Sequence, residues 1–463
     1  GEMGRLALRW GHYELAEPAL AFHLRAAPSA EAAIDLARAQ QGLWAFDRAQ
    51  ATLTAALEAD PGRPPLWLAL AQMLCVQGRH DQAIVFFEEA LRLDPSLAPA
   101  LDGLADALLL AGDPERALSA SEEALVTARP EEAPSLLAAH ARRMLAAGQV
   151  EAGWTAFAHA FAGDTGEAEI RVAAPRWTPG TPAAGRVLLF GETDVACEIL
   201  LAQAVPDLIA GGSPLILAVE PSWVELARRS FPEAHVVRRL ERVEAGRRLQ
   251  AADLDSPHLH GGELVGAWAP LRATLPAVRG RRAAFAGPAP YLTPDPDRVA
   301  HWRAQLALQD PGPRIGVVWR PPGSEAWEAP PLPALAAALS RPDLCLVGIQ
   351  QEAVLGELAW VRQTFGLPIR DPPPGFQAAD LDDVAALAQA LDVVIGVPDA
   401  ASYVAAASGA RTWFLSPPRH WPLLGGDAYP WFETARVLRA AAPGDWRDAL
   451  AELGRALNEL PAA

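Results

Sequence analysis

The chain contains no lysine. That absence removes a P-loop lysine, a Schiff-base lysine and a pyridoxal phosphate anchor, because each depends on an ε-amine. Cysteine is nearly as scarce. Cys75, Cys197 and Cys345 are odd in number and widely spaced, which excludes a disulfide framework and a thiolate zinc knuckle. Positive charge is in deficit, with a formal net charge of −17 over 463 residues. A sequence-independent nucleic-acid surface needs basic stripes to release counterions, so no nucleic-acid partner is expected. No apolar run approaches a membrane span, and the N-terminus lacks a charged, apolar, small-residue signal pattern, so a cytoplasmic location is expected. The chain opens at Gly1 rather than at methionine, as a trimmed N-terminus would. His258 and His260, with Asp253 and Asp255 ahead of them, superficially suggest a metal cluster. They have no third ligand at a fixed spacing and read as a polar loop, so no metal is expected.

What is present in the first third is a ladder of small residues and prolines recurring about every 34 residues. The best copy places Trp67, Leu70, Ala71, Gly78, Ala83, Phe87, Ala90, Leu91 and Pro95 where two antiparallel helices need a wedge, close contacts and a stop. The next copy keeps Leu101, Leu104, Ala105, Gly112, Ala117, Ala124 and Leu125. An earlier one keeps Leu36, Ala37, Ala49, Leu53, Ala56, Leu57 and Pro61, with Gly42 two residues early, so its first helix is expected to end sooner. Weaker copies carry Gly11, Tyr13, Ala16, Leu20 and Pro28 at the start, and Gly148, Phe157 and Ala160 at the end. This is the period of tetratricopeptide repeats, and about five helix pairs are expected over residues 1–163. Stacked repeats form a solenoid whose concave face takes a protein or peptide partner. A spacer or a dimerisation platform, hence a homo-oligomer, is the alternative that periodicity alone leaves open.

Residues 164–185, rich in Gly, Thr and Pro around Arg176-Trp177-Thr178-Pro179-Gly180, read as a linker. After them, short apolar runs alternate with helical patterns. Strands are expected at Arg186–Phe190, Leu215–Val219 and His235–Val237, then at Ile315–Trp319, Leu344–Ile349, Asp392–Val397 and Thr412–Leu415. Two Rossmann-like lobes are therefore expected, at 186–312 and 313–463, giving an α-solenoid followed by α/β lobes as the fold class.

The ordered set Ala289-Pro290-Tyr291-Leu292-Thr293-Pro294-Asp295-Pro296, Trp302, Gly316-Val317-Val318-Trp319, Asp382-Asp383-Val384-Ala385-Ala386-Leu387, Leu391–Val397, Trp413–Pro417, Tyr429-Pro430-Trp431-Phe432 and Gly444-Asp445-Trp446 carries a resemblance over nearly the whole chain. Together with the repeats it resembles bacterial proteins related to O-linked N-acetylglucosamine transferase and the heptosyltransferases, with the GT-B fold. Some members modify flagellin. The resemblance implies that the repeats hold an acceptor protein and that a cleft between the lobes holds a nucleotide-sugar donor, with no metal or other cofactor.

Sugar transfer needs acceptor activation, neutralisation of a departing diphosphate, and a pocket for base and ribose. These groups are expected at the carboxyl ends of strands and at helix N-termini. After Phe190 the candidates for acceptor activation are Glu192 and Asp194, with Cys197 where relatives resemble an acidic residue and Asp194 alternatively an N-cap. After Trp319, Arg320 and Ser324 are candidate diphosphate contacts, while Glu325 and Glu328 would repel an anionic donor. Trp327 either stacks on a nucleobase or packs on a neighbouring loop, and Gln350 either reads a base or ends its strand, as Gln351 does beside it. Where relatives resemble Val-Asp-Thr followed four residues later by His, this chain has Val397-Pro398-Asp399-Ala400-Ala401-Ser402-Tyr403. Asp399, Ser402 and Tyr403 are thus donor-site candidates, yet an aspartate N-cap would take the N–H groups meant for phosphate. His420 is a candidate general base or a surface histidine. Two functions follow: a glycosyltransferase-like protein that captures a protein acceptor, or a pseudo-glycosyltransferase acting as a binding scaffold or adaptor.

Overall fold

A computed structural model describes residues 1–160, 169–170, 172–244, 247–254, 265–285, 289–308, 312–320, 327–350, 359, 362–364, 366 and 369–461. By compactness the chain divides into Gly1–Leu136 and Leu137–Ala463.

The first unit is built of antiparallel helices: α1 (Glu2–Arg9), α2 (Tyr13–Ala26), α3 (Ala30–Gly42), α4 (Phe46–Ala59), α5 (Pro64–Val76), α6 (His80–Leu93), α7 (Ala98–Leu110) and α8 (Pro114–Thr127). Their limits follow from local chemistry. Ser29 accepts from the Ala32 amide at 3.1 Å and Asp113 from Arg116 at 3.2 Å, capping α3 and α8. The first helix of each pair ends in a left-handed residue, at Gly11 (φ 71°), Gly78 (φ 74°) and Gly112 (φ 93°). The amide after it bonds back over the turn, as from Arg79 to the Leu74 carbonyl at 2.9 Å. In the second pair Trp44 takes that place with φ 57°. Gly42 does not shorten α3, contrary to expectation. It is the last residue of the helix, and the Tyr13 ring packs against it where a Cβ would come within 2.4 Å.

Odd-numbered helices also touch one another, α1 with α3, α3 with α5 and α5 with α7, which places them on the inner side of the curve. On α5, Leu66, Leu70, Ala71, Met73 and Leu74 are buried, and Pro65 and Gln72 are exposed. Arg38, Gln72 and Asp106, each 34 residues apart, repeat that exposed position along the concave face.

Helix α9 (Ala133–Ala146) crosses the boundary, and α10 (Val150–His159) lies in the second unit. There Gly153 packs on Leu145 of α9, and Trp154 stands edge-on to Trp421 and Trp431, each at 5.9 Å, so aromatic packing adds to the helix pairing. The expected limit at 163 and the compact limit at Leu136 therefore divide the chain differently.

The second unit carries a mixed and a parallel sheet with helices. Strands β1 (Glu169–Ile170), β2 (Arg186–Phe190), β3 (Leu215–Val219), β4 (His235–Glu244), β5 (Arg247–Ala252) and β6 (Val265–Pro270) form the first, in the order β1-β5-β4-β3-β2-β6. Only β4 and β5 pair antiparallel. Strands β7 (Arg314–Val318), β8 (Cys345–Gly348), β9 (Val393–Gly396), β10 (Thr412–Ser416) and β11 (Arg436–Arg439) form the second, all parallel, in the order β11-β10-β9-β7-β8. The stretch expected as a linker takes part in the first sheet. β1 is its edge strand, Trp177 N–H donates to the Trp268 carbonyl at 2.8 Å, and Arg176 lies over the Trp268 ring at 3.9 Å.

Following chain order, the helices of this unit used below are α11 (Val195–Leu201), α12 (Val205–Ala210), α13 (Val224–Ser230), α14 (Leu275–Arg279), α15 (Pro296–Ala307), α16 (Leu332–Ala338), α17 (Leu381–Gln389), α18 (Ala400–Ala407) and α19 (Arg447–Asn458). Helix α11 starts after β2, α18 starts after β9, and the two pack directly on each other. Tyr291 braces the pair, its hydroxyl donating to the Ile199 carbonyl at 2.8 Å and its amide to the Ala407 carbonyl at 3.0 Å.

Candidate functional site

In an open parallel sheet a ligand seat forms where neighbouring strands run off in opposite directions from a shared first strand. In the first sheet that place is between the carboxyl ends of β2 and β6, and in the second between those of β7 and β9.

At the first, Phe190 leads into Gly191 and Glu192, and Pro270 into Leu271 and Arg272. Glu192 is buried and pairs with the Arg272 guanidinium, and the Arg272 amide donates to the same carboxylate at 3.0 Å. Beside it lies a second buried pair, Glu198 of α11 with Arg239 of β4. Glu198 also accepts from the Trp223 indole at 2.6 Å and from the Glu220 amide at 2.8 Å. Arg239 reaches on to the Glu192 carbonyl. Burial pushes the Glu198 carboxyl up to about 7, against the pull of Arg239. The Glu198 carboxylate lies over Gly191, where a Cβ would come within 2.2 Å of it. Asp194 is exposed at the rim and caps α11, accepting from the Ala196 amide at 2.9 Å. Cys197 is half-buried, and its thiol is held well above its ordinary range by desolvation and by Glu192 and Asp194.

The second place is built alike. Asp399 is buried and caps α18, one carboxylate oxygen accepting from the Ser402 amide at 2.8 Å and the other having no hydrogen-bond partner among the described residues. Desolvation raises this carboxyl to about 6. The Ser402 hydroxyl stands over Gly396, 2.1 Å from where a Cβ would be. Ala400, Ala401, Ser402 and Tyr403, the first turn of the helix, are all buried. Tyr403 sits among Phe414, Tyr429 and Phe432, at ring separations of 5.8, 6.3 and 5.9 Å. The Tyr429 hydroxyl bonds His420 Nδ1 at 2.8 Å, and burial lowers that imidazole to about 3, so it is neutral.

Elsewhere, Gln350 lies two residues past β8 and organises the loop after β7, accepting from the Trp319 and Arg320 amides at 3.1 and 3.3 Å. Trp327 lies beside Gly444, and its carbonyl accepts from the Trp446 indole at 3.3 Å. Ser324, Glu325, Gln351, Asp255, His258 and His260 lie outside the described residues. The structure thus brings Glu192, Asp194 and Cys197 to one strand end and Asp399, Ser402 and Tyr403 to the other, where Arg320 also leaves β7 with its amide bonded to Gln350, while Trp327 lies in a separate loop. Arg239, Arg272 and Tyr429 were not legible as members. An arginine inside His235-Val236-Val237-Arg238-Arg239 is the signal that a buried carboxylate awaits it, since an unpaired guanidinium is not buried.

Protein FlbA of Caulobacter vibrioides (strain ATCC 19089 / CIP 103742 / CB 15) is 32% identical over 472 residues, spanning 100% of this chain and 78% of its own length. The chain belongs to the FlbA family. The family model described as Tetratricopeptide repeat matches residues 64–129, the stretch of α5 to α8. Among solved structures, TTC0263, a thermophilic TPR protein of Thermus thermophilus, is 22% identical with a TM-score of 0.31 over 34% of this chain and 87% of that one. MamA from Desulfovibrio magneticus RS-1 is 18% identical with a TM-score of 0.30 over 34% and 89%. This FlbA-family chain therefore has a tetratricopeptide protein-binding module, and among its described residues no helix is long and apolar enough to cross a membrane.

Proposed function

We propose that this FlbA-family protein is a capture protein, in which the concave face of the repeats holds a segment of a partner protein. We read the two sheets of its second unit as GT-B-like lobes whose donor seats are filled from within, so that the protein works without sugar transfer. One observation carries the reading. A nucleotide-binding fold uses glycine at a strand end so that a pyrophosphate can approach the backbone. Here Glu198 occupies the space over Gly191 and Ser402 the space over Gly396. Asp399 adds a carboxylate on the N–H groups of α18, which would otherwise favour phosphate. Neither seat accepts a dianion without expelling a buried side chain of the protein itself.

The test uses the full chain, immobilised and exposed to a lysate of the source cells. A specific protein is retained, and Arg38→Glu with Gln72→Glu on the concave face lowers its recovery on the order of 10-fold. Intact-mass measurement of that protein, after incubation with nucleotide sugars, finds no added hexose or N-acetylhexosamine. Recovery untouched by the concave substitutions contradicts capture by the repeats, and a sugar-sized mass increase contradicts the absence of transfer.

A further inference from the structure

The stretch from Trp177 to Gly185, expected from sequence as part of a linker, walls a cleft of about 590 Å³. The cleft lies at the amino ends of β2 and β3, the end of the first sheet opposite Glu192, where Val187 and Pro214 also line it. Its volume falls within the roughly 300–1,000 Å³ usual for a small-molecule site. Trp177, Pro182, Leu208 and Val278 supply its apolar surface. The wall is preformed. The Thr181 amide and hydroxyl donate to the Thr178 carbonyl at 3.1 and 2.6 Å, closing a turn in which Gly180 is left-handed with φ 84°. The Trp177 indole donates to the Thr181 carbonyl at 3.0 Å, which ties the ring to that turn.

The charge on this cleft has one sign. The helical run from Val195 through α11 and α12 to Ala210 ends at Gly211 and Gly212 on the rim, so the last carbonyls of the run make this end partially negative. Asp207 stands beside them and pairs with Arg279, yet keeps 49% of its side chain in solvent. Arg279 itself is buried and its donors are taken. Its Nε donates to Gln203 Oε1 at 2.8 Å, and its terminal nitrogens donate to the Val278 and Gln203 carbonyls at 2.9 and 3.3 Å. Among the described residues that line the cleft there is no arginine or histidine. We propose that the cleft binds a small organic amine, a primary ammonium carried on an apolar or aromatic body. The ammonium meets the Asp207 carboxylate and the end of α12, and the body lies along Trp177, Leu208 and Val278. A phosphate or carboxylate finds no free cation here and faces Asp207, in a chain that already carries −17. This site is separate from the strand-end seats and does not rest on the reading of the repeats.

Calorimetric titration of the full chain with tryptamine and with indole-3-acetate, the same ring bearing an ammonium or a carboxylate, tests this. Tryptamine binds saturably with a dissociation constant below about 1 mM, and indole-3-acetate does not bind. Asp207→Asn, which keeps an oxygen for Arg279, weakens tryptamine by roughly 5-fold, and Asp207→Glu, which keeps the charge, retains it. Ala277→Trp, at an exposed lining position of α14, fills the cleft and abolishes binding. No binding of tryptamine by the full chain overturns the proposal. So does indole-3-acetate binding as well as tryptamine, or tryptamine binding that survives both Asp207→Asn and Ala277→Trp.

Discussion

At the residue scale, the repeats show how one position can be read from its neighbours. Gly11, Gly78 and Gly112 take left-handed turns between paired helices, and Trp44 takes the same turn with φ 57°. A side chain in that conformation costs about 1–2 kcal/mol, which Trp44 partly offsets by standing edge-on to Phe46 at 5.8 Å. Trp44→Gly is therefore more stable than Trp44→Ala by about 1 kcal/mol in urea denaturation. At exposed Gln72, inside α5, the order of Ala and Gly reverses. The buried carboxylate of Asp399 makes a prediction of a different kind. Its folded pKa, about 6, lies above the ordinary 3.8, so the folded state holds the proton more tightly than the unfolded chain. Its contribution to stability is full below about pH 4 and is lost as the pH rises through about 6. Asp399→Asn keeps an oxygen for the cap and removes the ionisation. The variant is the more stable protein at pH 8, by up to about 3 kcal/mol, and loses that advantage at pH 4. Equal differences at both pH values would count against the buried charge.

At the element scale, strands that are short apolar runs were legible, and those rich in polar, glycine or proline residues were not. Arg186–Phe190 and Leu215–Val219 are unbroken apolar runs in the middle of the first sheet, and both form as read. Strand β5 escapes such a reading because it is arginine-rich and pairs with polar residues of β4 such as Glu241 and Arg242. Strand β6 was hidden by the glycines and prolines around it, and β4 extends to Glu244, well past the expected Val237. The candidate site was half legible. Glu192, Asp399 and Ser402 were picked out as polar residues at strand ends, but their partners come from distant segments, and only the fold brings Arg272 to Glu192 or Arg239 to Glu198. That pairing ties β4 to α11. Removing Arg239 as Arg239→Ala strands the Glu198 carboxyl in the interior and costs about 3–5 kcal/mol by chemical denaturation. A loss below about 1 kcal/mol would show that Glu198 reaches water.

At the scale of the whole molecule, a protein-binding repeat module is joined to a unit of two sheets within one FlbA-family chain. The concave positions of the repeats remain on the surface, with Arg38, Gln72 and Asp106 at one equivalent place. The strand ends of the second unit have turned inward, with Glu192, Glu198, Asp399 and Ser402 all buried. The proposed capture surface is thus the one that stays open. The most direct measurement is calorimetric titration of the full chain with uridine, guanosine and cytidine nucleotide sugars and their free nucleotides. The account predicts no heat of binding up to about 1 mM. A micromolar dissociation constant for any of them, weakened by Arg320→Ala, would contradict it.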